Sequence, residues 1–127
     1  MQIGPAPILF VRRQDSNPSQ VEWSKPILTI GRDSANDLII DHPLASRRHA
    51  RLERDEQGYF VRDLESTNGT YVNGDKVDGV RQLHNQDIIW VADVEIVFSD
   101  PEATQKGPLP IEVLKRVRAA EEALRLD

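Results

Sequence analysis

Ala50-Arg51-Leu52-Glu53, Tyr59-Phe60-Val61-Arg62-Asp63-Leu64 and Ser66-Thr67-Asn68-Gly69-Thr70-Tyr71-Val72-Asn73-Gly74 decide the fold class of this 127-residue chain. The first two segments alternate apolar and charged residues. A period of two puts every second side chain on one face, the mark of a half-buried strand. In the third segment Thr70-Tyr71-Val72 sits between two Asn-Gly pairs. Asn-Gly favours tight turns because both residues tolerate positive φ.

The same signals recur on either side. Ile8-Leu9-Phe10-Val11 is an apolar run closed by Arg12-Arg13, and a polar loop from Gln14 to Gln20 contains Asn17-Pro18. Ile27-Leu28-Thr29-Ile30 reads as a strand stopping at Gly31, and Leu38-Ile39-Ile40 as another ended by Asp41-His42-Pro43. Downstream, Ile88-Ile89-Trp90-Val91 and Val94-Glu95-Ile96-Val97-Phe98 flank Ala92-Asp93, a two-residue hairpin turn. Short strands with turn signals at this spacing predict an all-β sandwich or barrel.

Composition changes after Phe98. Asp100-Pro101 and Gly107-Pro108-Leu109-Pro110 read as a linker, because proline interrupts ladders and helices alike. From Ile111 to Leu126 strong helix formers follow, with Leu114, Val117 and Leu124 at helical spacing and Glu121 interrupting the stripe. The expected organisation is a β-sandwich over 1–100, a linker over 101–110 and a short C-terminal α-helix over 111–127. That helix either docks on the sandwich or leads into a further domain.

The length suits one domain plus a tail. No apolar run approaches the roughly 18–20 residues of a membrane span. Met1 to Ala6 lacks a basic region followed by an apolar stretch, so no secretory signal is expected and a cytoplasmic location is the default. The absence of cysteine excludes disulfide scaffolds, thiolate metal sites and cysteine nucleophiles. A formal charge of −5 argues against a nucleic-acid partner, since such binders are usually basic. Arginines 47, 48, 51 and 54 nevertheless concentrate positive charge locally.

Four loop features stand out: Gly31-Arg32, Ser46-Arg47-Arg48-His49, Ser66-Thr67-Asn68-Gly69-Thr70, and Asn73-Gly74. Arg32 is a permanent cation with a planar fork of donors matched to phosphate or carboxylate. Ser46 and Thr67 add hydroxyl donors. Asn68 offers a donor and an acceptor, which suits the main chain of an extended peptide. A phosphorylated side chain brings about −1.5 to −2 charge and three acceptor oxygens. The set contains no activated nucleophile, so a phosphate held there is bound and not cleaved.

Strand-Gly31-Arg32, Asn36-Asp37-Leu38-Ile39-Ile40, Ser46-Arg47-Arg48-His49-Ala50, Ser66-Thr67-Asn68-Gly69-Thr70 and Val72-Asn73-Gly74, in this order, resemble the forkhead-associated domain family. The likeness runs from about Ile27 to Phe98. It implies an eleven-stranded β-sandwich whose loops at one end bind phosphothreonine peptides. Carried onto this chain, it implies that Arg32, Ser46 and Thr67 contact the phosphate. Arg47 would touch the phosphothreonine or its backbone, and Asn68 would pair with the peptide main chain. His49 would organise the loop from behind, with Gly31 and Gly69 geometric. A pocket for the threonine methyl group accounts for the family's preference over phosphoserine. The implied partner is a phosphothreonine-containing protein, with a serine/threonine kinase or its substrate as candidates. No cofactor, metal, nucleic acid or membrane is implied, and the oligomeric state is left open.

Two turns depart from the family pattern. Leu83-His84-Asn85-Gln86-Asp87 lacks the glycine common before the aspartate, and Ala92 stands where glycine is frequent. Asn85 is expected to supply the positive φ that glycine would have given. Leu44 and Ala45, ahead of Ser46, are apolar and hint at an uncharged residue three after the phosphothreonine. Arg48 and Arg51 read as a solvated face that attracts phosphorylated partners, and Asn73-Gly74 as structural.

Other classes fare worse. A nucleophilic triad from Ser46, His49 and an aspartate lacks the surrounding nucleophile-elbow sequence. His42, His49 and His84 are spaced irregularly for a metal. The remaining alternative is a scaffold of the same fold that binds a partner independently of phosphate. The chain is therefore expected not to be an enzyme.

Overall fold

The computed structural model describes residues 6–102. Eleven strands occur among them. They are β1 (Ile8–Arg12), β2 (Ser19–Glu22), β3 (Ile27–Gly31), β4 (Leu38–Ile39), β5 (Ala50–Asp55), β6 (Gly58–Asp63), β7 (Thr70–Val72), β8 (Asp75–Lys76), β9 (Val80–Leu83), β10 (Ile88–Val91) and β11 (Val94–Ser99). The expected linker beyond Glu102 and the C-terminal helix at 111–127 lie outside the described residues. Among the described residues no helix is long and apolar enough to cross a membrane.

Two sheets pack face to face. One runs β2-β1-β11-β10-β7-β8 and the other β4-β3-β5-β6-β9, with β3–β4 parallel. The alternation read from sequence sets the faces. In β5 Ala50 and Leu52 point inward while Arg51 and Glu53 point out, and in β11 Val94, Ile96 and Phe98 are buried between half-exposed neighbours. Leu9, Val11, Leu28, Ile30, Leu52, Val61, Ile89 and Ile96 complete most of the shared core. Burying each such side chain contributes about 1.5–3 kcal/mol.

Turn chemistry fixes the register. Asn73 and Gly74, at φ 52° and 90°, join β7 to β8. Ala92, at φ 55°, turns β10 into β11, which is the predicted hairpin closed by a residue ill-suited to that conformation. At the 83–87 turn the expectation needs correcting: Gln86, not Asn85, takes the positive φ, at 74°. Asn85 instead accepts the Asp100 amide through Oδ1 at 2.8 Å, and that bond ties it to the end of β11.

Three strands escaped the sequence reading. β2 overlaps the expected polar loop, because it is an edge strand with no fully buried residue. β8 is two exposed residues, and β9 buries only Leu83. Edge strands carry weak hydrophobic signals since one flank faces water.

The pairing defines two ends. Ile30, Ala50 and Asp63 lie in one row across β3, β5 and β6, and Thr70 pairs with Val91. The loops bearing Arg32, Ser46 and Thr67 leave from this end. At the other end Ile8 pairs with Ser99, and Trp23, Tyr59 and Phe98 pack at 5.1–6.0 Å between ring centres, Trp23 edge-on to the other two and those two tilted.

Candidate phosphate-binding edge

The edge begins where β3 stops. A Cβ built on Gly31 would sit 2.2 Å from the carbonyl oxygen of Arg47, so only glycine permits the approach of these two backbones. With it, the ladder continues past the strands. The Arg32 N–H donates to Ser46 O at 2.9 Å, the Asp33 N–H to Arg47 O at 3.2 Å, and the His49 N–H to Ile30 O at 3.0 Å. Asn36 closes the loop from outside, since its Nδ2 donates to both Asp33 O and Arg47 O at 2.8 Å.

His49 is fully buried and holds two loops together. Its Nδ1 accepts the Ser46 N–H at 3.0 Å, and Nε2 lies 2.9 Å from Gly69 O. An acceptor at Nδ1 requires the proton on Nε2, which then donates to the carbonyl. The ring is thus neutral, and both nitrogens are occupied by backbone. It bonds the Ser46 amide and not the Ser46 hydroxyl, so no serine–histidine nucleophile pair forms.

The second loop is pinned by Asp63 at the end of β6. Its Oδ1 accepts the hydroxyls of Ser66 at 2.6 Å and Thr70 at 2.7 Å, and Oδ2 accepts the Ser66 amide at 3.3 Å. The Ser66 hydroxyl in turn accepts the Gly69 N–H at 2.9 Å, where Gly69 stands at φ 88°. Partial burial pushes the Asp63 carboxyl up, but the bonds from Ser66 and Thr70 outweigh it and hold it below the usual carboxylate range. Sequence reading gave no role to Asp63, nor to Ser66 and Asn36, although these two lay inside the quoted motifs. The spacings Asp63-x-x-Ser66 and Asp33-x-x-Asn36 were a legible signal, because short polar side chains three apart habitually bond each other's backbone in loops.

On this frame the predicted residues converge. Arg32 Nε donates to Ala45 O at 3.0 Å, which ties the guanidinium to the peptide unit leading into Ser46, and its Nη groups bond no protein group among the described residues. The Ser46 hydroxyl accepts the Thr67 N–H at 3.0 Å, so its own proton is available to an acceptor. Asn68 Nδ2 donates to Leu44 O at 2.8 Å, which commits one amide hydrogen to bridging the loops and leaves Oδ1 and the other hydrogen. Arg32, Arg47, Thr67 and Asn68 are exposed and Ser46 half-buried. Among the described residues Arg32, Arg47 and Arg48 join no ion pair, although arginines 12, 51, 62 and 81 do. Leu44 is 54% exposed while Ala45 is buried, so of these two only Leu44 is open to solvent.

The result is an edge of exposed donors and guanidiniums without ion-pair partners among the described residues, on hydrogen-bonded loops, suited to a multiply charged anion. Among the described residues no group of three or more His, Asp or Glu is placed to hold a metal ion.

Comparison with known proteins agrees in fold and in residues matched. The model of the FHA domain family matches residues 28–92. The chain is 44% identical over 71 residues to the ABC transporter ATP-binding/permease protein Rv1747 of Mycobacterium tuberculosis, covering 56% of this chain and 8% of that protein. It is 32% identical over 101 residues to the glycogen accumulation regulator GarA of Mycolicibacterium smegmatis, covering 79% of this chain and 63% of GarA. It therefore spans less than two thirds of either relative. A solved FHA domain, described in terms of phosphothreonine-dependent interactions, superposes with a TM-score of 0.64 at 28% identity, covering 82% of this chain and 99% of that one.

Proposed function

This chain belongs to the forkhead-associated (FHA) domain family, and from that premise we propose that it is a phosphopeptide-binding module that recognises phosphothreonine in partner proteins. It serves signalling or assembly governed by serine/threonine kinases. The observation that supports this reading is that the loops of Arg32, Ser46 and Thr67 are tied together, through Arg32 Nε to Ala45 O and Thr67 N to Ser46 Oγ. In this reading the two Nη groups of Arg32 and the hydroxyls of Ser46 and Thr67 donate to phosphate oxygens. Arg47 adds charge beside the phosphothreonine, and Asn68 pairs with the ligand main chain through the groups that Leu44 leaves unused. Gly31, His49 and Gly69 shape the loops and touch no ligand.

Charge-assisted bonds contribute about 1.5–3 kcal/mol each, so three or four of them dominate recognition of a short peptide. The module binds and does not catalyse, since His49 has both ring nitrogens engaged and no base stands beside Ser46. A cytoplasmic setting, where such kinases act, fits this role. The partner is a kinase or one of its substrates.

The direct test is binding to a phosphothreonine-peptide library against unphosphorylated copies. Selective capture of phosphorylated members supports the reading, and equal capture favours a phosphate-independent scaffold. Affinity is expected to fall as pH drops below about 6, where the ligand phosphate loses its second charge. A flat profile between about pH 5 and 7.5 would count against a dianion-reading site. Ser46→Ala is expected to cost about 1–2 kcal/mol of binding by calorimetric titration. That is less than the loss of Arg32, because a neutral hydroxyl makes the weaker bond. A larger loss than for Arg32→Ala would reverse the assignment.

A further inference from the structure

A cleft of about 240 Å³ opens on the far side of the 33–36 loop from the phosphate-facing groups. Asp33, Asn36, Arg48, Arg51 and Leu64 line it, and none of Arg32, Ser46, Thr67 or Asn68 does. The backbone accounts for this division. The Arg47 carbonyl is clamped by the Asp33 N–H and Asn36 Nδ2, so that loop forms a shared wall. Arg47 does not line the cleft, whereas Arg48 does.

The charge of the cleft is unusual for this chain. Arg51 and Arg62 stand side by side on the outer face of β5 and β6, and both bond the single carboxylate of Glu53. Arg48 is exposed and joins no ion pair among the described residues. Asp33 is the other carboxylate at the rim, and its Oδ1 accepts the Ala35 N–H at 3.0 Å. Of the charged side chains that line the cleft, Arg48 and Arg51 thus outnumber Asp33. The adjoining charges, Arg62 with Glu53 and Lys25 with Asp37, balance each other, which leaves a local cationic excess on a chain of formal charge −5. Arg48 follows Ser46 by two residues, so at most about 7 Å of extended chain separates them. A ligand residue two positions from the phosphothreonine spans the same distance, and one three positions away about 10 Å. Leu44 and Arg48 flank Ser46 on opposite sides, so the charged contact falls opposite to the apolar one assigned to Leu44.

We propose that this cleft reads an acidic side chain, aspartate or glutamate, two or three residues before the phosphothreonine of the same ligand, with Arg48 as the specificity-determining contact. This rests on the phosphothreonine reading above, and the test separates the two. Three phosphothreonine peptides are titrated: one flanked by alanine, one with aspartates at the second and third positions before the phosphothreonine, and one with them at the same distance after it. The preceding aspartates are expected to tighten binding about three-fold at low salt, and the gain to shrink in 0.5 M salt as screening shortens the reach of exposed charge. Arg48→Gln removes the gain while binding the alanine-flanked peptide as wild type does. Arg48→Lys retains it. Arg12→Gln, on the opposite sheet, leaves it unchanged.

If the alanine-flanked peptide does not bind wild-type protein, the phosphothreonine reading itself fails. If that peptide binds but preceding aspartates give no gain, the acidic cleft is wrong. An equal gain from following aspartates, a gain that survives in Arg48→Gln, or an equal loss in Arg12→Gln also overturns it, the last because bulk charge then explains the effect. Should Arg48→Gln also lose the alanine-flanked peptide, the comparison moves to Arg48→Lys, and loss of the gain there overturns the proposal.

Discussion

Arg32→Ala is expected to weaken binding of a phosphothreonine peptide by about 2–5 kcal/mol, the range for stripping one partner from a charged pair that becomes buried on binding. The fold should survive. The backbone N–H of residue 32 still reaches Ser46 O, and Gly31 keeps its contact with Arg47. Only the part-buried bond from Nε to Ala45 O is lost. Arg32→Lys restores the charge but not the fork that donates to two phosphate oxygens while Nε grips the loop, so it should recover part of the affinity only. Calorimetric titration, with thermal melting of each variant as a control, gives the answer. Unchanged affinity in a folded Arg32→Ala protein would remove the central contact from the proposed function.

His49→Ala should be the more damaging change to the protein itself. The ring is fully buried and satisfies the Ser46 N–H and the Gly69 carbonyl. Each buried polar group left without a partner costs about 1–3 kcal/mol, so a loss of about 3–5 kcal/mol in unfolding free energy is expected with the cavity included. Phosphopeptide binding should fall as well, because the loops of Ser46 and Thr67 lose their common anchor. His49→Phe refills the volume without the nitrogens. It should be nearly as unstable as His49→Ala if hydrogen bonding dominates. Denaturant unfolding of both variants decides this, and a cost under about 1 kcal/mol for the phenylalanine would show that packing and not hydrogen bonding is the role of the residue.

Much of this architecture was legible because its signals are local. The alternation of Ala50–Glu53 and Tyr59–Leu64 gives two paired strands of one sheet, and Asn73-Gly74 gives the β7–β8 turn of the other. The loop residues were legible as a set in fixed order, which is how Arg32, Ser46, Thr67 and Asn68 came to be proposed although each alone is common. What sequence did not reveal depends on contacts across the fold. Gly31 reads as a flexible residue, yet its function here is the absence of a Cβ opposite a carbonyl sixteen positions away. Asp63 reads as the end of an alternating strand, but it bonds Ser66 and Thr70. Gln86 and Ala92 adopt positive φ against their intrinsic preference, which the flanking strands impose. The edge strands β2, β8 and β9 bury too little to leave a pattern.

The pairing of Ile8 with Ser99 has a consequence for how such a unit can be carried. Both strand ends sit at the pole occupied by Trp23 and Phe98, away from the loops of Arg32 and Thr67. Polypeptide joined ahead of residue 8 or after residue 99 therefore departs from the pole remote from the ligand. A spacer on either side can be lengthened, cut or fused to unrelated cargo without crossing the recognition surface. In the proposed function, the reach of the tether then sets the local concentration of a captured partner, and the opposite pole sets which partner is captured.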